Sequence, residues 1–341
     1  MGAGDSQLII DQFGAFVGKH SERLRVSLKG QVVEERPFHG LEHVLVASGG
    51  VALSSDLIQA CAERGIPISF ISRVGHPYAR VMSSGLVGTV RTRREQLLAY
   101  LDERGVALAR AFSSGKVKNQ AVLLKYMAKY RKGNAPEVFE KARTAAESLE
   151  GFAERIQVVK GDSVDEVRQD ILTLEGHAAK VYWEAAGELL IPETDWQGRQ
   201  TRGARDLVNS ALNYGYGMLY CQAERAIMLA GLDPYAGFLH ADRAGKPSLV
   251  LDLVEEFRQM TVDRAVFGLV NKGVGLEVEG GLLTEESRRT IAEKVNERLE
   301  TEERYEGKKH KLRTVIQSQA RRVAVYVRGE GRPYRAWVGR W

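Results

Sequence analysis

The sequence predicts an α+β protein, with a small β-rich N-terminal domain over residues 1–90 followed by a larger all-α domain over residues 91–341. Three observations lead there. The 341 residues exceed the usual size of one domain, so two separate cores are expected. Short runs of β-branched and aromatic residues, broken by glycine, fill the first part of the chain. After "TVRTRREQLL" the apolar spacing changes from two residues to about 3.6 and stays there for most of the remaining sequence.

Taken in order, "QLIID", "AFVG", "RLRVSLKG", "QVVEERPF" and "HVLVASGGVALSS" read as strands. Ser55 is expected to cap a helix, "DLIQACAERG", that ends at Gly65, and "IPISFIS" returns to strand. Beyond residue 90, helices are expected at 92–113, 115–131, 137–157, 164–187, 203–230, 248–258, 284–304 and 309–328. Residues 192–206, "PETDWQGRQTRGARD", form the most loop-like long segment of the helical half, the kind that is often functional. No repeat, heptad seam or low-complexity tract interrupts this order.

Composition narrows the function classes. No apolar run is long enough to cross a bilayer, and "MGAGDSQLIIDQFG" lacks the cationic and apolar regions of a secretory signal. Cys61 and Cys221 alone make neither a disulfide framework nor a thiolate zinc site, so a cytoplasmic protein is expected. The net charge of +5 is unevenly spread. From residue 307 onward Lys308, Lys309, Lys311, Arg313, Arg321, Arg322, Arg328, Arg332, Arg335 and Arg340 face only Glu330. Such asymmetry suggests a polyanion partner, although a solvated basic helix with a loose end has the same composition.

Three separated places offer ligands for a hard cation in apolar surroundings. Glu175 precedes Gly176, Ala178 and Ala179, small residues that let another helix approach and leave the acid partly buried. His240 ends "GLDPYAGFLH". Asp252 and Glu255 lie one turn apart on a predicted helix, where two acids repel unless a cation sits near them. Carboxylates with an imidazole suit Mg²⁺ or Mn²⁺. Structural readings stand beside this one: Glu175 as a helix-end residue, His240 as a hydrogen-bonded loop histidine, and Asp252 and Glu255 paired with Arg258, Arg243 or Lys246. Spacing alone leaves both sets open. His177, two residues from Glu175, is read as a surface residue.

The strings "LEGHAAKVYW", "VNSALNYGYGMLYCQAERAIMLAGLDPYAGFLH" and "SLVLDLVEEFRQMTVDR" occur in that order. Together with "GGVALSSDLIQACAERGIPISFIS", "GKVKNQAVLL" and "IQSQARRVAVYVRG", they resemble the CRISPR-associated spacer-acquisition integrase, a metal-dependent DNA endonuclease, over nearly the whole chain. The resemblance implies Glu175, His240 and Glu255 as metal ligands for Mg²⁺ or Mn²⁺. It gives Asp252 an assisting role, with either Asp252 or Glu255 as the closer ligand. It implies Arg258 against a DNA phosphate and Asn213 and Tyr214 lining the active site. Tyr182, two turns after Glu175, lies on the same helix side; core packing with a satisfied hydroxyl is the other reading for it and for Tyr214.

The function so implied is transesterification, the 3′-hydroxyl of a captured double-stranded DNA fragment attacking a CRISPR repeat boundary. It needs no ATP, in keeping with the lack of a GxxxxGK[ST] loop. DNA is expected along Arg91, Arg93, Arg94, Lys116, Lys118 and the basic C-terminal residues. The resemblance also implies a homodimer through the β domains and a small ferredoxin-like adaptation protein as partner. Two other readings use the same residues: an unrelated Mg²⁺-dependent nuclease or phosphatase, and a non-enzymatic DNA-binding scaffold whose acids form salt bridges.

Overall fold

The computed structural model describes residues 6–85, 90–191, 194 and 196–340. Its first part holds β1 (Gln7–Ile10), β2 (Phe16–His20), β3 (Arg23–Leu28), β4 (Gln31–Pro37), β5 (His43–Val46), β6 (Ala52–Leu53), α1 (Ser55–Glu63), β7 (Ile68–Ile71) and β8 (Pro77–Val81). The strands form two four-stranded sheets, in the orders β1-β5-β7-β8 and β4-β3-β2-β6. β1, β5 and β7 are parallel, and β8 closes their sheet antiparallel. Helix α1 is capped by Ser54, one residue earlier than expected: its hydroxyl accepts from the Leu57 N–H at 3.2 Å, and Ser55 is the first helical residue.

β5 shows how this part meets the rest. Its residues are all buried, and the two-residue alternation of a strand splits them. Val44 and Val46 join Leu8, Leu24, Leu57 and Ile68 in one core, while Leu45 and the following Ala47 join a larger core that runs through the helices. The parallel sheet is therefore covered on both faces, a burial that its near-continuous apolar sequence already implied.

The helices are α2 (Val90–Ala99), α3 (Glu103–Ala128), α4 (Pro136–Gln157), α5 (Val164–Leu189), α6 (Leu207–Leu229), α7 (Ser248–Val254), α8 (Arg264–Asn271), α9 (Glu285–Glu300) and α10 (Leu312–Val327). None of them is long and apolar enough to cross a membrane. The break expected at 113–115 lies instead before Glu103, where the Asp102 carboxylate accepts from the Arg104 N–H at 2.9 Å and starts α3. Gly115 is a packing residue inside that helix, since a Cβ there would stand 2.5 Å from the Ala336 Cβ. The boundary expected at residue 90 adjoins residues 86–89, which lie outside the described residues, as do Pro192, Glu193 and Asp195 of the long loop.

The larger part is not purely helical. Hairpins β9 (Val278–Glu279) with β10 (Leu282–Leu283) and β11 (Glu302–Tyr305) with β12 (Lys308–Lys311) flank α9. Residues 301–304 and 309–311, expected in helices, belong to or adjoin the second hairpin because Glu306 and Gly307 adopt φ of 49° and 82°, the left-handed pair of a two-residue turn. Between α7 and α8 the chain makes a π-helical turn (Gln259–Asp263), which carries the helix expected to end at 258 onward.

Candidate active site

Lys116 on α3, Glu175 on α5 and Glu255 at the end of α7 meet at one buried point. The Lys116 ammonium lies 2.7 Å from Glu175 Oε1 and 2.9 Å from Glu255 Oε2. The first contact is an aligned hydrogen bond; the second is an ion pair outside hydrogen-bonding alignment. Glu175 Oε2 is buried with no hydrogen-bond partner among the described residues. Arg258 binds the other oxygen of Glu255 at 2.9 Å. Burial by itself raises the pKa of Glu255, but the charges of Arg258, Lys116 and His240 hold it at about 2. Burial likewise disfavours the Lys116 ammonium, and Glu175 and Glu255 outweigh it, so its pKa is raised.

His240 stands on a loop organised by Asp252. Both Asp252 oxygens are taken by that loop: Oδ2 accepts the N–H groups of Phe238 at 2.6 Å and Leu239 at 3.0 Å, and Oδ1 accepts that of His240 at 2.9 Å. The His240 ring nitrogen Nδ1 lies 2.8 Å from the same Oδ1. Gly237 is needed for this closeness, because a Cβ there would meet Asp252 Oδ2 at 2.8 Å and Ser248 at 2.6 Å. From α2, Gln96 clamps the loop's start, donating to the Asp233 and Ala236 carbonyls and accepting from the Asp233 N–H. Burial lowers the His240 pKa, but the bond to Asp252 and the charges of Asp252, Glu255 and Glu175 raise it overall. Those charges couple the ring to both glutamates. Among the described residues, no three His, Cys, Asp or Glu side chains already form a metal cluster; the two glutamates meet on Lys116.

The π-helical turn adds a feature that sequence reasoning missed. Arg258 stacks over the Tyr216 ring at 4.1 Å, the Tyr216 hydroxyl donates to buried Asp263, and the Tyr182 hydroxyl donates to the other Asp263 oxygen at 2.7 Å. Tyr182 is thus a core residue with a satisfied hydroxyl. Tyr214 is buried too, with Arg288 and Asp11 as its charged neighbours. It is Tyr216, two residues on, that reaches the site. Asn213 accepts from Arg199 at 2.6 Å and lines a cavity of about 1430 Å³ between the β7–β8 turn and α6. Arg199, Arg202, Arg205, Arg243, Lys246 and Arg258 line the same cavity and make its wall cationic.

Lys116, expected on a DNA-facing surface, is instead inside the site. A signal for this was present: Lys116, Asn119 and Gln120 stand at i, i+3 and i+4, a polar stripe on a buried face of α3. Arg93, Arg94 and Lys118 are exposed, as a phosphate-facing role requires, and Arg91 is exposed with Glu330 3.5 Å away. The basic C-terminal segment is less free than its composition suggests. Arg313 is buried against Glu300, Arg322 pairs with Glu306, and Arg328 pairs with Glu330. Two of these partners, Glu300 and Glu306, lie just before the basic run that starts after residue 307. The end of the chain is also anchored: buried Glu256 accepts from Tyr334, from Gln319 and from the Trp337 N–H, and Phe257 stacks on Trp337 at 5.3 Å.

Comparison with known proteins bears on the family and the fold. The family described as "CRISPR associated protein Cas1" matches residues 8–297. The chain is 37% identical to the CRISPR-associated endonuclease Cas1 1 of Archaeoglobus fulgidus, covering 98% of this chain and 100% of that protein. In fold it is similar to a casposase bound to its integration product, with a TM-score of 0.78 and 22% identity over 96% of this chain and 92% of that one. It is also similar to a chain of a Cas6-RT-Cas1–Cas2 complex, with a TM-score of 0.77 and 18% identity over 97% of this chain and 36% of that one.

Proposed function

Because this chain belongs to the Cas1 family of CRISPR-associated endonucleases, we propose that it inserts short double-stranded DNA fragments into a CRISPR repeat array by transesterification. The observation that carries this reading is the convergence of Glu175 and Glu255 on one buried cationic point, joined through Arg258, which binds Glu255, to an arginine-lined cavity. In the reaction the 3′-hydroxyl of the fragment forms a new P–O bond at the repeat boundary. The P–O bond to the leaving 3′-oxygen breaks, and the proton of the attacking hydroxyl ends on that oxygen. The number of phosphodiester bonds is conserved, so no nucleotide hydrolysis is needed.

The donor set fits Mg²⁺ or Mn²⁺: two carboxylates, one with a buried oxygen that has no hydrogen-bond partner among the described residues, and an imidazole. Glu175, Glu255 and His240 would hold the ion, His240 through Nε2, the nitrogen that Asp252 does not engage. Such an ion supplies charge at the phosphoryl oxygens and orients the attacking hydroxyl. Asp252 fixes the tautomer and direction of the His240 ring. Arg258, steered by Glu255 and Tyr216, offers a guanidinium to the scissile phosphate, and the cationic cavity wall holds the flanking strand.

The division at residue 90, with the N-terminal part forming a homodimer, belongs to the same reading. Its support is a separate core within residues 8–68 and exposed Phe13, Phe16, Val32 and Val33. A small ferredoxin-like protein is the proposed second partner, since one chain of like fold belongs to a complex with Cas2. The test is a supercoiled plasmid bearing a CRISPR repeat, incubated with fragment DNA and MnCl₂. Joined fragment–plasmid product is expected from the wild type and none from Glu175→Ala; metal-dependent turnover retained in Glu175→Ala would remove the assignment. Cuts without joined product would reduce the protein to a plain nuclease.

A further inference from the structure

We propose that the Lys116 ammonium is a resident counter-cation of the active site, which a divalent ion must displace from between Glu175 and Glu255 in order to bind. The inference rests on the metal reading given above and goes beyond it, because it assigns the chain an internal competitor for its own cofactor.

Three elements that are distant in sequence converge here, and a lysine is the point on which they meet. Its stem comes from α3, its partners from α5 and from the end of α7. The ammonium is 2.7 Å from one carboxylate and 2.9 Å from the other, so it stands where a shared cation would stand. It serves these acids incompletely. Only the contact to Glu175 Oε1 is an aligned hydrogen bond, while Glu175 Oε2 and Glu255 Oε2 are buried without one. A doubly charged ion would engage those oxygens better than an ammonium with directional N–H bonds.

The two cations cannot share the place. An ion bound to both carboxylates would come within about 4 Å of the ammonium, and like charges at that distance in a partly dehydrated site repel strongly. Arg258, on Glu255, adds a further positive charge beside them. The four-carbon stem of a lysine is flexible enough to swing its head aside, which a buried arginine fork does less readily. The four groups Glu175, Glu255, Lys116 and Arg258 balance in charge, so exchanging the ammonium for a divalent ion makes the site one unit more positive, which favours an incoming phosphate. Removing the lysine charge should therefore strengthen metal binding in the absence of DNA, the opposite of what a metal-positioning residue would do.

The test is calorimetric titration of the metal-stripped full chain with MnCl₂, without DNA. Lys116→Met is expected to bind Mn²⁺ at least about tenfold more tightly than wild type. Lys116→Arg, which keeps the charge, is expected at or below wild-type affinity, and His240→Ala should abolish the heat in both backgrounds. Equal or weaker binding by Lys116→Met, with His240→Ala still abolishing it, overturns the inference and leaves the metal reading standing. No His240-dependent heat in any variant removes the metal reading and this inference with it. Should Lys116→Met fold poorly, Lys116→Gln replaces it, read by the rise in melting temperature on adding MnCl₂. A larger rise than in wild type supports displacement, and an equal or smaller one overturns it.

Discussion

The Nδ1 of His240 lies 2.8 Å from Oδ1 of Asp252, and the rest of that carboxylate is spent on the backbone N–H groups of residues 238–240. One acid thus shapes the loop and turns the imidazole. In Asp252→Asn the amide can no longer accept at both ends, so the ring loses its orientation. Strand transfer is expected to fall about 10–100-fold, with a loss of about 1–3 kcal/mol in urea unfolding. Unchanged activity in a folded Asp252→Asn protein would show that the pairing does not matter to catalysis.

His43 should make the protein sensitive to acid. It is fully buried with Nε2 2.9 Å from the Ser69 hydroxyl, and burial, aided by the charges of Arg225 and Arg313, lowers its pKa from 6.5 to about 3. The folded state keeps the ring neutral while the unfolded chain protonates it. Its contribution is therefore whole above pH 6.5 and is lost as pH falls from there toward 3. At pH 5 the loss is about 2 kcal/mol. Denaturant unfolding at pH 7.5 and pH 5 measures it, and His43→Gln should flatten the difference.

The seam between the β7–β8 turn and α6 depends on bare backbone. A Cβ on Gly217 would meet the Gly75 carbonyl oxygen at 1.6 Å, and Gly75 itself has φ of 82°. Gly217→Ala must push the turn off α6, with an expected cost of at least about 1–3 kcal/mol. Thermal unfolding compared with Gly268→Ala, where an added Cβ meets nothing within 4 Å, checks this. Equal melting temperatures would contradict the close approach.

DNA affinity should depend on the cavity wall. Arg243 and Lys246 line it. Replacing each by alanine is expected to weaken binding uniformly across DNA sequences and to reduce the slope of log K against log salt by about one per residue. Fluorescence anisotropy at several salt concentrations reads that slope. A sequence-selective loss would point to base contacts instead.

Much of this fold is legible in the sequence because its signals are local. The change from strand to helix spacing near residue 90, the Gly65 stop and the buried run "HVLV" each rest on neighbouring residues. The hairpins around Gly280–Gly281 and Glu306–Gly307 were missed because charged segments such as "EERYEGKKHK" carry no strand alternation; the turn, with positive φ at Glu306 and Gly307, sets them. In the site, the candidate acids and His240 could be named from their strings. Of their partners, Arg258 is legible as an i, i+3 pair of Glu255, whereas Lys116, on the polar stripe of α3, is matched to Glu175 and Glu255 only once α5 and α7 are laid beside it.

By itself the sequence determined the β-then-helix order, the family resemblance and the residues able to bind a hard cation. Only the tertiary structure decided how they are used: Asp252 on its own loop, Lys116 between the glutamates, Tyr216 rather than Tyr214 under Arg258, and the basic C-terminus partly neutralised and anchored through Glu256. The reason is physical. Periodicity and capping act within a few residues, whereas burying a charge demands a partner, and which partner arrives depends on elements that meet only after the chain has packed.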